Sequence, residues 1–378
     1  MPQTNSTTKA LINGIRRWVD LESPSHRPDL VAAMAQLISQ DASALGLRVS
    51  RHEVSGHEAP ALCISNRLPD DERKGIVIIG HMDTVHPVGT LEKNPFRIED
   101  NRAYGPGIYD MKAGAYMAMA AMGAVGRDQA TSLPVDLLLV PDEEIGSIHS
   151  RKFTEAFASA KAKYVLVAEP ARPNGGRCVT ERKGSGRINL CACGRQAHAG
   201  LQHWLGRSAI KEIAHQVIAL EGLTDYDQGL TISVGTINGG TTPNVVPGQC
   251  EAEADFRIPD LDTWRALEQH VAGLRPVDGD VRLDASINLR RPPMNKTPQT
   301  QALLLAVQDA AAQVGLAIEE APMTGGASDA NFTAALGIPS IDGLGADGDG
   351  AHTLDEYILV DTLEARYAFW CRMLRALS

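Results

Sequence analysis

Three apolar runs in this chain are each followed directly by side chains that can bind a metal ion. The runs cover residues 75–80, 135–140 and 164–168, and each has the length and composition of a strand buried on both faces of a parallel sheet. The side chains after them are His81, the adjacent pair Glu143 and Glu144, and Glu169. Because ligands bind beyond the carboxyl ends of strands in open α/β sheets, we expect these side chains to meet at one edge. Adjacent carboxylates repel each other, so this edge requires a cation or a shared proton.

The patterns around these runs predict an α/β fold with a mainly parallel sheet. Apolar residues recur at helical spacing in several segments before and after the runs. These segments are 8–20, 28–45, 111–125, 301–314 and a C-terminal helix that begins at Asp361. Strands that alternate with helices in this way are typical of parallel sheets.

The pattern changes between residues 178 and 290. Strand-like segments here alternate apolar and polar residues, most strictly in 250–258. The order of segments is β-α-β-β-α-β, which predicts a small ferredoxin-like antiparallel sheet with helices on one face. We therefore assign 178–290 to an inserted second domain, and 1–177 together with 291–378 to a metal-binding catalytic domain.

Composition excludes several classes of function. The 378 residues are enough for two domains, and the formal net charge of −10 argues against nucleic acid as a partner. No stretch has the length of a membrane span, and the N-terminal segment lacks the apolar core and cleavage site of a secretory signal. The cysteines lie among apolar neighbours without disulfide or zinc-knuckle spacing, which favours reduced thiols in a cytoplasmic protein. They are Cys63, Cys178, Cys191, Cys193, Cys250 and Cys371.

Five side chains form a candidate metal constellation: His81, Asp110, Glu144, Glu169 and His352. Two histidines and three carboxylates suit two zinc ions, with cobalt or manganese as substitutes. Five side chains can give two ions an adequate set of ligands only if one carboxylate binds both ions. Asp110 is the natural bridge because it follows a constrained Gly-Pro-Gly turn at the head of a helix. Two ions about 3.5–4 Å apart can act on both sides of a carbonyl addition.

Two neighbouring acids complete the candidate site. Asp83, two residues after His81, is placed to orient the imidazole, and Glu143 is placed to act as general base. Considered one at a time, three of the candidates could have ordinary structural roles instead: His81 could be a loop histidine, His352 a turn residue and Asp110 a helix cap. Their occurrence on successive strand ends favours the metal site.

As an ordered set, the motifs resemble those of the dizinc exopeptidase and aminoacylase metallopeptidases. This group includes glutamate carboxypeptidase, acetylornithine deacetylase and succinyl-diaminopimelate desuccinylase. The resemblance covers the chain from about residue 10 to its end. It is carried by HMDTV at 81–85, GPGIYDMKAG at 105–114, DEEIG at 142–146, EP at 169–170, HAG at 198–200, GGASD at 325–329 and AH at 351–352.

The resemblance implies a role for each candidate. His81 and Glu169 would hold one metal, Glu144 and His352 the other, and Asp110 would bridge; Glu143 would be the catalytic base and Asp83 would orient a ligand. The inserted domain of this family usually forms a homodimer. Its equivalent of His198 reaches into the partner's active site and stabilises the oxyanion, a role that this residue alone would not suggest.

The glutamate carboxypeptidases are the most similar subgroup. They place an arginine that grips the substrate's α-carboxylate at the position of Arg291, although Arg290 remains an alternative and either could simply end a strand. Asn244 matches a position near the substrate and is equally suited to a turn. The segment 201–206, with Trp204, departs from relatives that carry a proline there.

These observations predict a two-domain α/β metallohydrolase that cleaves an amide bond next to a free carboxylate. The expected substrates are peptides or N-acyl amino acids, with glutamate carboxypeptidase as the leading activity. An N-acyl amino acid deacylase, or another amidohydrolase on this scaffold, is the alternative. An inactive dimeric binding protein is a third reading, which the complete ligand set disfavours.

Overall fold

The computed structural model describes residues 6–127, 131–173 and 175–378, arranged in two compact units. Unit 1 comprises the chain up to Glu181, Lys296–Thr324 and Ser328–Ser378; unit 2 comprises Arg182–Asn295 and Gly325–Ala327. The first five residues of the segment inspected for a secretory signal lie outside the described residues.

Unit 1 contains both strands and helices, and a separate set of both forms unit 2. The strands are β1 (Arg48–Val54), β2 (His57–Ser65), β3 (Gly75–His81), β4 (Arg97–Glu99), β5 (Arg102–Tyr104), β6 (Val135–Val140), β7 (Ala162–Val167), β8 (Gly184–Cys193), β9 (Thr231–Gly239), β10 (Gln249–Ile258), β11 (Arg282–Arg291), β12 (Ser340–Ile341), β13 (Gly348–Asp349) and β14 (Tyr357–Leu359). The helices are α1 (Ser6–Val19), α2 (Pro28–Ala44), α3 (Thr90–Lys93), α4 (Ala113–Arg127), α5 (Arg151–Lys161), α6 (Ala209–Glu221), α7 (Leu261–Ala272), α8 (Pro298–Ala312), α9 (Ala330–Ala335) and α10 (Leu363–Ala376).

A six-stranded sheet forms the centre of unit 1, in the order β1-β2-β6-β3-β7-β12. The pairs β6–β3, β3–β7 and β7–β12 are parallel, and β2 joins β6 antiparallel with β1 at the edge. Every residue of β3 and β6 is buried, as expected for strands with helices on both faces. The predicted α/β class with a mainly parallel sheet is confirmed.

Helix α4 packs very closely against the end of β7. A Cβ atom on Gly114 would lie 2.1 Å from the carbonyl oxygen of Ala168, so only glycine fits at this position. Small residues and methionines elsewhere on α4 are buried in the main core. The helix that follows Asp110 is therefore held directly beside the end of β7, shortly before Glu169.

A small antiparallel sheet in unit 1 was not predicted from the sequence. Its order is β13-β14-β5-β4, and its strands have only two or three residues, too few to show a period. Tyr357 on β14 pairs with Tyr104 on β5. The β13–β14 connection carries His352 and the segment after β5 carries Asp110, so this sheet brings the two loops together.

Unit 2 is a four-stranded antiparallel sheet in the order β11-β8-β10-β9, with α6 and α7 packed on one face. Numbered within the unit, this strand order is the 4-1-3-2 of a ferredoxin-like fold. Residues of β10 alternate between buried and exposed, in agreement with the predicted one-sided strand. None of the helices in the described ranges is long and apolar enough to cross a membrane.

The limits of unit 2 differ from the predicted domain 178–290. Cys178 and Val179 pair with Glu320 and Asp342 and therefore belong to unit 1. The unit ends at Asn295 rather than at 290.

Two helices also differ from the sequence prediction. Helix α6 begins at Ala209, where Ser208 caps it by accepting from the N–H of Lys211, whereas its helical apolar pattern in the sequence already starts at Leu205. Helix α5 was not predicted from the sequence, and only Thr154 and Ala158 on it are buried.

Candidate metal centre

The five predicted ligands converge in unit 1 as two groups that share one residue. The first group is His81, Asp110 and Glu169, and the second is Asp110, Glu144 and His352. Within each group the possible ligand atoms lie within 4.8 Å of one another. The shared member is Asp110, the residue expected to bridge.

Each carboxylate oxygen of Asp110 faces a different group. Its Oδ1 lies 3.1 Å from Nε2 of His81, and its Oδ2 lies 3.3 Å from Nε2 of His352. Nε2 of His352 is also 3.2 Å from Oε2 of Glu144, and Nε2 of His81 is 3.8 Å from Oε1 of Glu169. Ligand atoms around a tetrahedral zinc ion with bonds near 2.0–2.2 Å are about 3.4 Å apart. The observed spacings therefore match the edges of two coordination shells that share Asp110.

The ring of His81 is oriented with Nε2 toward the ligand groups. Its Nδ1 lies 2.9 Å from the main-chain carbonyl oxygen of Asp83, which can only accept, so Nδ1 carries the proton. The carboxylate of Asp83 is farther away, with Oδ1 at 3.5 Å. Asp83 was expected to orient the imidazole through its side chain, whereas the shorter contact is made by its main chain.

The buried carboxylate of Asp83 instead organises the turn after β6. Its Oδ1 accepts from the N–H of Glu143 and its Oδ2 from the N–H of Glu144, both at 3.1 Å. The hydroxyl of Ser25 donates to Oδ2 at 2.6 Å. Ser25 lies far from every motif in the sequence, and its type and spacing gave no signal of this role.

Asp110 lies in an irregular segment between β5 and α4. Gly107 has a φ of +70°, and the backbone angles of Asp110 and Met111 are not helical. The peptide bond between Asp110 and Met111 is cis. The alternative reading of Asp110 as an ordinary helix cap does not hold, since α4 starts only at Ala113.

The charges of the cluster show why it suits a cation. Burial and the neighbouring charge of Asp110 raise the pKa of Glu169 well above its usual value, and burial also raises the pKa of Glu144. Burial would raise the pKa of Asp110 too, but hydrogen bonds from His352 and His81 lower it. Hydrogen bonds to Asp110 and Glu144 raise the pKa of His352 to about 10. Crowded carboxylates that require protons or histidinium for compensation fit a site for metal cations.

A buried oxygen supports the same interpretation. Among the described residues, no hydrogen-bond donor reaches Oε1 of Glu144. A buried carboxylate oxygen without a donor is costly, and a metal ion would satisfy it. Together with the nitrogen and oxygen donor set, this atom shows that the residues fit zinc or a similar ion.

Glu143 lies beside these ligands without belonging to either group. It begins a short 3-10 helix, Glu143–Ile145, and is half-buried. Its charge contributes to the raised pKa of Glu169.

Unit 2 carries the remaining candidates. His198 is exposed, and its Nδ1 accepts from the N–H groups of Gly200 at 3.1 Å and Leu201 at 3.2 Å. The N–H of Ala199 donates to the carbonyl of Asn244 at 2.9 Å, so the segments that carry His198 and Asn244 lie together.

Arg290 and Arg291 have different environments within unit 2. Arg290 is exposed on β11, whereas Arg291 is buried, with 5% exposure. The register of β11 against β8 shifts between Leu289 and Arg291, and such a bulge turns a side chain away from the regular alternation.

The fold and the ligand groups define an α/β metallohydrolase. The model of Peptidase family M20/M25/M40 matches residues 77–376, so the chain belongs to this metallopeptidase family. The resemblance noted in the sequence is thereby confirmed.

Individual relatives differ in activity. Carboxypeptidase G2 from Pseudomonas sp. (strain RS-16) is 27% identical over 380 residues, covering 98% of this chain and 89% of that protein. A succinyl-diaminopimelate desuccinylase from Verminephrobacter eiseniae is 30% identical over 324 residues, covering 81% of this chain and 79% of that protein. The structure of aminopeptidase PepT from Bacillus cereus ATCC 10987 superposes with a TM-score of 0.79, at 23% identity and 98% coverage of both chains. These similarities define the family and the fold, and they leave the substrate open.

Proposed function

We propose that this protein hydrolyses the amide bond of peptides or N-acyl amino acids that have a free terminal carboxylate, with glutamate carboxypeptidase as the leading activity. The observation that carries the proposal is the position of Asp110, whose two carboxylate oxygens face two separate ligand groups. The similarity to carboxypeptidase G2 over nearly the whole chain supports this substrate class.

Two zinc ions per subunit, with cobalt or manganese as substitutes, suit the ligand groups. His81 and Glu169 would hold one ion, Glu144 and His352 the other, and Asp110 both. Ions bound in such a site polarise the scissile carbonyl and lower the pKa of water. The protein fixes the orientation of the ligand side chains. The clearest case is His81, which is held by its hydrogen bond to the carbonyl of Asp83.

Glu143 is the proposed general base. It precedes Glu144 in the turn that Asp83 fixes, and its charge contributes to the raised pKa of Glu169. In this role it takes a proton from the attacking water and passes it to the leaving amine.

His198 is the proposed oxyanion donor. Backbone N–H groups can only donate, so the two that contact Nδ1 show that this nitrogen is an acceptor. The proton of the neutral ring therefore lies on Nε2, which can donate to a developing oxyanion. We propose that the partner subunit's His198 serves each active site.

The proposed homodimer would be formed by unit 2. Strand β9 is at an edge of the sheet, most of its residues are exposed, and an uncovered edge can pair with another strand. On α6, Ile210, Ala214 and Ile218 are exposed at a spacing of four, and Ile218 is 74% exposed. An edge strand beside an apolar helix face would suit a second copy of the same surfaces.

Arg291 is the proposed contact to the substrate carboxylate, and Asn244 is proposed to lie near the substrate. A guanidinium can bind a carboxylate with two hydrogen bonds, and a buried position strengthens such a pair. The bulge that separates Arg291 from the exposed Arg290 favours Arg291 for this role.

An N-acyl amino acid deacylase is the second candidate, supported by the 30% identity to a desuccinylase. Trp204 is exposed in a short 3-10 helix after the His198 motif, where the chain departs from the glutamate carboxypeptidase pattern. We also propose that the protein works in the cytoplasm, since its six cysteines are free thiols and suit a reducing compartment.

Hydrolysis of a panel of N-acyl amino acids by zinc-loaded protein tests these assignments, with chelator-treated protein as the control. Chelator-sensitive cleavage that peaks at glutamate or aspartate conjugates supports the carboxypeptidase. Cleavage that is fastest for conjugates with a small acyl group, whatever the amino acid, supports the deacylase. Two bound ions without cleavage of any panel member would refute both substrate assignments.

A further inference from the structure

Glu356 is a fully buried carboxylate that binds the loop of Asp110 with both oxygens. Its Oε1 accepts from the N–H groups of Tyr109 and Asp110, each at 2.8 Å. Its Oε2 accepts from the N–H of Gly107 at 2.9 Å and faces Nε2 of His86 at 2.7 Å. One side chain with 0% exposure thus has four partners, three of them in the segment that ends at Asp110.

The loop of Asp110 needs such a partner because it has no regular structure of its own. The backbone of Asp110 is not helical and Gly107 is left-handed, so a helical ladder cannot satisfy their N–H groups. Tyr109 is buried, and water is therefore a poor substitute. The acceptor oxygens of Glu356 fix where this segment lies.

Glu356 also belongs to the segment that presents His352. Between β13 and β14 the chain turns through left-handed residues, Gly350 at φ +81° and His352 at φ +66°. The N–H of Thr353 donates to the carbonyl of Gly350 within this turn. Glu356 follows at its end, directly before β14, so one residue connects the loop of His352 to the loop of Asp110.

The two ligand groups depend on this connection to different degrees. His81 is the last residue of the central strand β3, and Glu169 follows β7 closely, so the main sheet positions both. Only Asp110 of the first group lies on a loop that Glu356 joins, whereas two of the three members of the second group, Asp110 and His352, do.

We infer that Glu356 is a positioning residue that holds Asp110 and His352 at the spacing required by the second metal site. The inference rests on the metal centre proposed above. A residue with a purely structural role would affect folding but would not weaken one metal site more than the other.

The test is zinc binding to Glu356→Gln, measured by competition with a chromophoric chelator and by metal analysis at buffered free zinc. The glutamine keeps the shape but turns an NH₂ group toward N–H donors. At a zinc concentration where the wild type holds two ions, we expect the variant to hold one. Its second dissociation constant should rise about 10- to 100-fold, and the first should rise by a smaller factor, because only Asp110 of the first group lies on these loops.

Asp136→Asn is the matched control. Asp136 is also a buried carboxylate with several donors, from Ser65 and Arg67, and none of them is a proposed ligand. This variant should lose thermal stability and keep both zinc ions. Equal loss of the second ion in the two variants would show a general effect of destabilisation and overturn the inference, as would unchanged binding by Glu356→Gln.

Three further measurements separate the possible failures. Wild-type protein that binds fewer than two ions would refute the metal centre itself, before any variant is compared. If Glu356→Gln does not fold, His86→Gln removes one of the four partners, and its second site should weaken several-fold; wild-type affinity would overturn the inference. In a double variant, adding Glu356→Gln to His352→Ala should lower zinc affinity only slightly below that of His352→Ala. A loss equal to the sum of the two single-variant losses would show that Glu356 acts independently of the second site and would overturn the inference.

Discussion

The carboxylate of Asp83 accepts the main-chain N–H of Glu143 at 3.1 Å. The segment that begins at the carboxyl end of β3 thus fixes the turn that begins at the end of β6. The position of Glu143, the proposed general base, therefore depends on Asp83, which follows the neighbouring strand β3, as well as on the 3-10 turn that Glu143 begins. This dependence can be tested.

Asp83→Asn should lower kcat by about 10- to 100-fold with a small effect on KM. The amide would turn an NH₂ group toward the N–H of Glu143 or Glu144 and displace the turn. Steady-state kinetics on the best panel substrate provide the measurement. Ser25→Ala removes one donor from the same carboxylate and leaves both turn contacts, so its kcat should fall far less; equal losses would contradict this role of Asp83.

Glu143→Ala should lower kcat by about 10²- to 10⁴-fold, the usual contribution of a general base. Both metal ions should remain bound, since Glu143 belongs to neither ligand group. Turnover and metal content are measured on the same preparation. A variant with a near-normal rate would remove Glu143 from the role of base.

His198→Ala should lower kcat by about 10²- to 10³-fold through loss of one oxyanion donor. The dimer should persist, because His198 is outside the proposed β9 and α6 interface. Ile218→Asp, on the exposed face of α6, should instead weaken the dimer and lower activity at low protein concentration. Analytical ultracentrifugation combined with kinetics checks both variants, and a fully active monomer would show that His198 does not act across subunits.

Arg291→Ala should raise KM about 10-fold or more for substrates with a free carboxylate, since a charged hydrogen bond is lost. The matched control is Arg290→Ala, which alters an exposed neighbour and should change KM less than about twofold. A substrate with an amidated terminus should be insensitive to both variants. The opposite order of effects would assign the carboxylate to Arg290.

Metal-free protein should lose thermal stability as the pH rises from about 6.5 to about 10. The pKa of His352 is raised to about 10 by Asp110 and Glu144, so its stabilising charge is complete below the unfolded value near 6.5 and is lost as pH rises. The raised pKa of Glu169 acts in the same direction, because its proton is also lost at higher pH.

The measurement is the Tm of chelator-treated and zinc-loaded protein across this pH range. Zinc-loaded protein should change less, since bound metal replaces the protons. His352→Ala should flatten the slope of the metal-free protein. A metal-free Tm that rises with pH would contradict the assigned pKa shifts.

The sequence predicted the main sheet because β3, β6 and β7 are long enough to show uninterrupted apolar runs. It predicted the convergence of His81, Glu144 and Glu169 because parallel strands share one edge. Asp110 and His352, which lie on irregular loops, were predicted from their residue types and the glycine-rich segments before them, and the family motifs then implied a role for each. The turn of His352 depends on strands of two or three residues, which carry no readable period.

Residues that orient the ligands were much harder to predict. Ser25 and Glu356 act through hydrogen bonds to segments distant in the sequence, and their residue types are common on loops. Asp83 was predicted as an orienting residue, but the shorter contact to His81 is made by its carbonyl rather than its carboxylate. Such contacts depend on backbone direction, which periodicity does not encode.

The chain order of unit 1 has a consequence for biosynthesis. His81, Asp110, Glu144 and Glu169 precede unit 2, whereas His352 and Glu356 follow it. A nascent chain on the ribosome therefore carries the complete first ligand group long before the second can form. The second ligand group can form only after synthesis has passed His352, so the two proposed metal sites become available at different stages of translation.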